Sequence, residues 1–281
     1  MSGKIILING RFITLDDHCP IAETISIEQG KISGINASDH HCQHLALHGA
    51  PVIPGFVDAH FHLLNLGKQL DSLQLQNCIS PSEIADKVLI KSRDLAETDW
   101  IFGYSWDQSR WQENKFPEEK VLNDLNLKQP VMLTRIDGHS MWVNDIAIHK
   151  TNQSADELNT ISGGKVINNC ILVDNSMNPI REVMPSDDIN DIERWIKIAI
   201  SNANKMGITN VHDAWQDATT VLAIQELIEE NNFPIRCYGM LGSNDATLLN
   251  DFFQKGHYQS DYLTIRSVKA FIDGALGSRG A

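Results

Sequence analysis

The chain has 281 residues, 42% of them hydrophobic and 21% charged, a balance that excludes a disordered polypeptide and leaves room for one large domain or two ordinary ones. Its formal net charge of −13 repels phosphates, which argues against a nucleic-acid or anionic-membrane partner. Five scattered cysteines without a C-x-x-C pair, no secretory h-region and no run near the ~18 apolar residues of a membrane span point to a cytoplasmic protein with reduced thiols.

In chain order, residues 3–50 predict a small β module. Lys4–Ile8 is apolar and β-branched, Asn9-Gly10 signals a hairpin, and Phe12–Leu15 follows; Thr24–Glu28 and Lys31–Ile35 flank Gln29-Gly30. Pro51–Val57 then predicts a buried parallel strand. Ser80-Pro81-Ser82-Glu83 supplies an N-cap, a proline at N1 and a capping-box glutamate for a helix to about Ala96. Trp100–Tyr104 and Val131–Ile136 are further strand candidates, and 151–185 is polar and hard to read. From 186 onward, apolar residues at Ile189, Ile192, Ile196, Ala199, Ala203 and Met206 mark a helix stopped by Gly207. Strands at Ile208–His212, Pro234–Met240 and Thr264–Ile272 alternate with helices at Thr219–Glu230 and Asp245–Lys255, the pattern of βα units on a parallel sheet.

The strongest chemical feature is Asp58-Ala59-His60-Phe61-His62 at the end of the Pro51–Val57 strand. Residues i and i+2 of a strand share a face, so His60 and His62 aim their imidazoles at one point. That is half of a zinc-type shell, with Asp58 able to orient it; the competing reading is two unrelated histidines at a strand exit. Lys269 lies in the otherwise apolar run Ser267–Ile272. Low dielectric favours its neutral amine, which can add CO₂ to give a metal-bridging carbamate; the competing reading is a buried stem whose ammonium snorkels outward. His139 and His212 each follow an apolar strand with Asp137 or Asp213 nearby, and either can equally be a satisfied structural histidine.

Three features look functional and are weaker. Asp39-His40-His41-Cys42 with His44 and His48 suggests only adventitious nickel or zinc. Gly103-Tyr104-Ser105-Trp106-Asp107 lacks the last glycine of a serine-hydrolase elbow, and Gly274, Gly277 and Gly280 have the wrong spacing for a dinucleotide cradle. Trp100, Trp106 and Trp111 read as core.

Val52-Ile53-Pro54-Gly55-Phe56-Val57-Asp58-Ala59-His60-Phe61-His62 resembles the opening motif of amidohydrolases. Four later segments resemble amidohydrolase family 3, its N-substituted-formamide deformylase-like branch, and come in the family's order. They are Arg135-Ile136-Asp137-Gly138-His139 with Trp142-Val143-Asn144, Leu172-Val173-Asp174-Asn175, Gly207–Ala214, and Val268-Lys269-Ala270-Phe271-Ile272-Asp273-Gly274 through Gly280. The resemblance implies an α/β fold: an incomplete (β/α)₈ metal-dependent hydrolase barrel over 51–281, with an insertion at about 70–185, and a small N-terminal β-sandwich module over 1–50. It implies one or two divalent ions, zinc first, held by His60, His62 and a carboxylated Lys269. Asp58, His139, His212, Asp213 and Asp273 become substrate-contacting or ligand-orienting groups. The expected reaction is hydrolysis of a C–N bond in a small amide- or formamide-like molecule by a metal-activated water.

By the same resemblance the chain stops before two metal-binding histidines and the proton-shuttle aspartate. The alternative is therefore an inactive fragment, persisting alone or assembled with another chain. A homo-oligomer or a complementing C-terminal half are the protein partners this leaves open, with no nucleic acid and no membrane. Substrate identity is not in the sequence.

Overall fold

The computed structural model describes residues 3–38 and 41–272. Its contacts divide into a unit of residues 1–57 with 207–210, and a second unit of 58–206 with 211–281.

In the first unit, strands β1 (Ile5–Ile8), β2 (Arg11–Ile13), β3 (Ile21–Ala22), β4 (Ile25–Glu28), β5 (Lys31–Ile35), β6 (Gln43–Ala46) and β7 (Pro51–Val52) form two sheets, β5-β4-β1-β6 and β3-β2-β7. Gln29 and Gly30, at φ 50° and 73°, make the two-residue turn joining β4 to antiparallel β5, as the sequence predicts. Asn9-Gly10 does something else. Asn9 also has a positive φ of 52°, yet β1 pairs with β4 and β6 while β2 pairs with β3 and β7, so this turn passes the chain between sheets rather than closing a hairpin. Phe12, Ala22 and Ile25 form the buried centre, with Leu7, Ile27 and Val52 packed on it.

The expected Pro51–Val57 strand is two pieces. Pro54 lacks an N–H and Gly55 sits so close to Thr209 that a Cβ would lie 2.2 Å from its Oγ1, which breaks the run between β7 and β8 (Phe56–Phe61). Nor is β8 buried: it is the last strand of its sheet, and Phe56 and Val57 are 54% and 55% exposed. Helix α1 (Leu63–Asp71), which the sequence patterns do not announce, starts immediately after His62.

Strand β9 (Leu73–Gln74), helix α2 (Pro81–Ser92), strand β10 (Ile101–Trp106), helix α3 (Lys120–Asn123), strands β11 (Val131–Arg135) and β12 (Ser140–Val143), helices α4 (Asp145–Lys150) and α5 (Ala155–Asn159), strands β13 (Gly164–Ile167) and β14 (Ile171–Asp174) and helix α6 (Asn178–Val183) follow. The strands form one six-stranded sheet, β13-β14-β12-β11-β10-β9, parallel from β9 to β11 and antiparallel beyond. Ser80 caps α2 as predicted, its Oγ accepting the Glu83 N–H at 3.2 Å. Trp106 and Trp111 are buried together with Trp142 in one cluster of this sheet's core, and Trp100 in another, which agrees with the reading of the first, second and last of these indoles at 100, 106 and 111 as packing residues.

Helix α7 (Ile189–Lys205) buries Ile192, Ile196, Ala199 and Ala203 of the predicted stripe and adds Ile200, while Ile189 is half-buried and Met206, just past the helix, is exposed. Then come β15 (Ile208–Gln216), helix α8 (Ala218–Glu229), β16 (Arg236–Gly242), helix α9 (Ala246–Lys255), β17 (Tyr258–Gln259) and β18 (Leu263–Lys269). The second sheet has the order β17-β18-β16-β15-β8, with β16 and β18 parallel. No helix among the described residues is long and apolar enough to cross a membrane.

Candidate metal centre

The site is built from the ends of β8, β15, β16 and β18. His60 and His62 do share a face: their ring centroids are 5.2 Å apart with planes at 75°. Two hydrogen bonds fix the backbone that carries them. The Asp58 carboxylate accepts the His60 N–H at 3.0 Å, and the Asp213 carboxylate accepts the N–H of Leu63, the residue after His62, also at 3.0 Å. Helix α1 begins there, with the Leu66 N–H donating to the His62 carbonyl at 2.9 Å.

Burial, the adjacent His60 and the Lys269 ammonium, in that order, hold the His62 imidazole below the usual histidine range. This favours the neutral ring, which is the form that binds metal. It also places Lys269 within electrostatic reach of His62. Lys269 is half-buried at the last position of β18, opposite Gly242 of β16, with its Nζ 5.3 Å from the centroid of Phe271.

Neighbouring residues on a strand face opposite ways, and β15 shows the consequence. The His212 ring lies against Tyr238 of β16, with centroids 5.2 Å apart. Asp213 is only 1% exposed, and its second oxygen accepts from Gln216 Nε2 at 3.0 Å. Burial pushes its carboxyl up to about 6, against the opposing pull of the Leu63 and Gln216 hydrogen bonds. Asp213 thus anchors the exit of the histidine strand from behind.

His139 belongs to the six-stranded sheet. Its Nδ1 lies 2.8 Å from the Asp174 carboxylate, so Nδ1 carries the donated proton and Nε2 is left as the outward atom. Asp137, its neighbour in sequence, instead accepts the His139 backbone N–H at 3.1 Å and pairs with Arg135. Asp273 lies outside the described residues, as do Asp39 and His40. Among the described residues, no three or more His, Cys, Asp or Glu side chains converge as a metal-binding group. Asp174, Trp215, Tyr238 and Phe271 were not singled out as site residues by sequence reasoning. For Asp174 and Phe271 a signal existed, since Leu172–Asn175 and Val268–Gly280 are among the segments that carry the resemblance.

A sequence model described as the amidohydrolase family matches residues 43–281, a span that takes in every residue of the site. The chain belongs to the amidohydrolase family. It is 24% identical to YtcJ of Bacillus subtilis over 99% of its own length and 55% of that protein. It is 22% identical to the N-substituted formamide deformylase of Arthrobacter pascens, over 98% of this chain and 55% of the relative. A crystal structure of an uncharacterised metal-dependent hydrolase from Pyrococcus horikoshii superposes with a TM-score of 0.77 at 25% identity, covering 99% of this chain and 56% of that one. The chain therefore spans about half the length of the relatives it matches. The mixed α/β fold is that of this family's hydrolases.

Proposed function

We propose that the chain carries part of the metal site of a hydrolase that cleaves the C–N bond of a small amide or N-substituted formamide. The observation behind this is the pairing of the His60 and His62 rings at one strand end, with Lys269 at the end of another strand of the same sheet acting electrostatically on His62. The donor set fits a borderline divalent cation such as zinc: two imidazoles, one of them biased to its neutral form, and an amine that can become a carbamate. His60, His62 and carboxylated Lys269 would hold the ion, one or two in number. When bound, the metal supplies Lewis acidity that polarises the substrate carbonyl and makes a water nucleophilic.

The remaining roles belong to side chains. Asp58 and Asp213 fix the backbone on either side of the histidine pair. His212 beside Tyr238, and His139 held by Asp174, are offered as substrate-contacting groups, with Asp273 on the loop after Lys269. In the reaction the C–N bond breaks, a C–O bond forms, and the water's protons go to the leaving nitrogen and the solvent. The four strands β8, β15, β16 and β18 with their helices are read as an arc of a (β/α)₈ barrel over 51–281 with an insertion at about 70–185. The two sheets of the first unit are read as part of a sandwich module over 1–50. A cytoplasmic location follows from the scatter of five cysteines without a C-x-x-C pair.

A second reading is that these residues are a catalytically inactive fragment, persisting alone or assembled with another chain. The observation favouring it is that no three-residue His, Cys, Asp or Glu group converges among the described residues. Formate release from N-substituted formamides tests the choice. The first reading expects release by zinc-loaded protein, its loss on chelation and its return with zinc. Release that survives complete metal removal would sink the metal-dependent reading, and zinc-loaded protein that releases nothing would support the second.

A further inference from the structure

Next to the proposed half-shell stands an aromatic surface that the reaction chemistry does not require. Trp215, the penultimate residue of β15, packs against Gly242 at the end of β16. A Cβ on Gly242 would come within 2.6 Å of the indole Cε2 and 2.9 Å of Cζ2, so glycine is what permits this contact. Phe271 stacks on the indole, with centroids 5.2 Å apart and planes at 28°. Phe271 is nevertheless 70% exposed. The wall is joined to the half-shell through Lys269, whose Nζ sits over the Phe271 ring at 5.3 Å from its centroid. An exposed phenylalanine alone is ordinary. A pair seated on a glycine, bordering a candidate ligand and leaving one ring free, is the arrangement that takes another flat ring.

We propose that Trp215 and Phe271 form a specificity wall that receives a planar aromatic substituent on the substrate, setting the adjacent amide beside His60, His62 and Lys269. This rests on the amide-hydrolase reading above, and it narrows the substrate class to aryl-bearing amides. A saturated ring of the same size buries similar area but cannot stack, so planarity is the property selected.

The test uses zinc-loaded protein and two probes matched in size, formanilide and N-cyclohexylformamide. Binding is read by calorimetry or ligand-observed NMR, and hydrolysis by formate release. The expected result is an affinity about 10-fold higher for formanilide, on the order of one aromatic stacking contact beyond its area burial. Phe271→Leu should erase that preference and Phe271→Tyr should keep it, with KM rather than kcat carrying the change. Phe271→Leu is a surface substitution, and Gly242→Ala, which displaces Trp215, gives a second route to the same loss. Equal affinity for both probes, or a formanilide preference untouched by Phe271→Leu, would overturn the wall even if both formamides are hydrolysed. Phe271-dependent binding without hydrolysis would keep the wall and remove the hydrolase reading instead.

Discussion

Lys269→Arg is expected to weaken zinc binding by on the order of 100-fold, the scale seen when a group serving a metal site is removed. Arginine keeps the positive charge and much of the stem at the end of β18, but a guanidinium cannot add CO₂. The substitution therefore separates two roles for the residue. If Lys269 served only as a cation over Phe271 and near His62, arginine would serve nearly as well. If its carbamate is a ligand, affinity falls in the variant, and zinc uptake by the unaltered protein rises with added bicarbonate while the variant ignores it. Zinc titrations with and without bicarbonate on the two proteins decide between them. Equal affinity for both proteins would remove Lys269 from the ligand set.

The second large effect is on stability. Asp213 has its carboxyl raised from the ordinary aspartate value to about 6 by burial. Between about pH 4 and 6 the native state then holds a proton that the unfolded chain releases, so this group's contribution to stability falls as pH rises through that window. A shift of about two units corresponds to about 3 kcal/mol, all of it present as a cost above pH 6. Replacing the carboxyl with an uncharged amide would avoid this cost while the side-chain carbonyl oxygen still accepts the Leu63 N–H. The new amide would face Gln216, whose Oε1 is buried and unpartnered and can turn to accept it. Asp213→Asn is thus expected to match the parent in urea unfolding near pH 4 and to exceed it by about 3 kcal/mol above pH 6. A stability difference that stays constant with pH would show that burial does not raise the Asp213 carboxyl in the folded protein.

The parts of the site that were legible in sequence are those set by local periodicity. His60 and His62 share a face because a strand repeats every two residues, and α7 announces itself through steps of three and four. What sequence could not show depends on partners far along the chain. The bond between His139 and Asp174 spans 35 residues and exists because β12 and β14 pair with Ser140 opposite Val173. His212 and Asp213 read alike as adjacent polar residues, yet the pleat sends one ring against Tyr238 and buries the other carboxylate behind Leu63. The exposure of β8 follows from its place at the end of the sheet order, which no property of Pro51–Val57 encodes. The pairing of Trp215 with Phe271 depends on Gly242 of β16, which leaves room for the indole and lies 27 residues from Trp215 along the chain.

The central claim is that His60 and His62 bind a divalent metal, and metal content tests it most directly. The purified, untagged chain and its His60→Ala variant would be stripped with chelator, exposed to zinc, dialysed, and measured by mass spectrometry, with circular dichroism confirming that both are folded. Near-stoichiometric zinc on the unaltered chain and its loss from His60→Ala is the predicted result. A folded parent that retains no zinc, or a variant that retains as much as the parent, would contradict it.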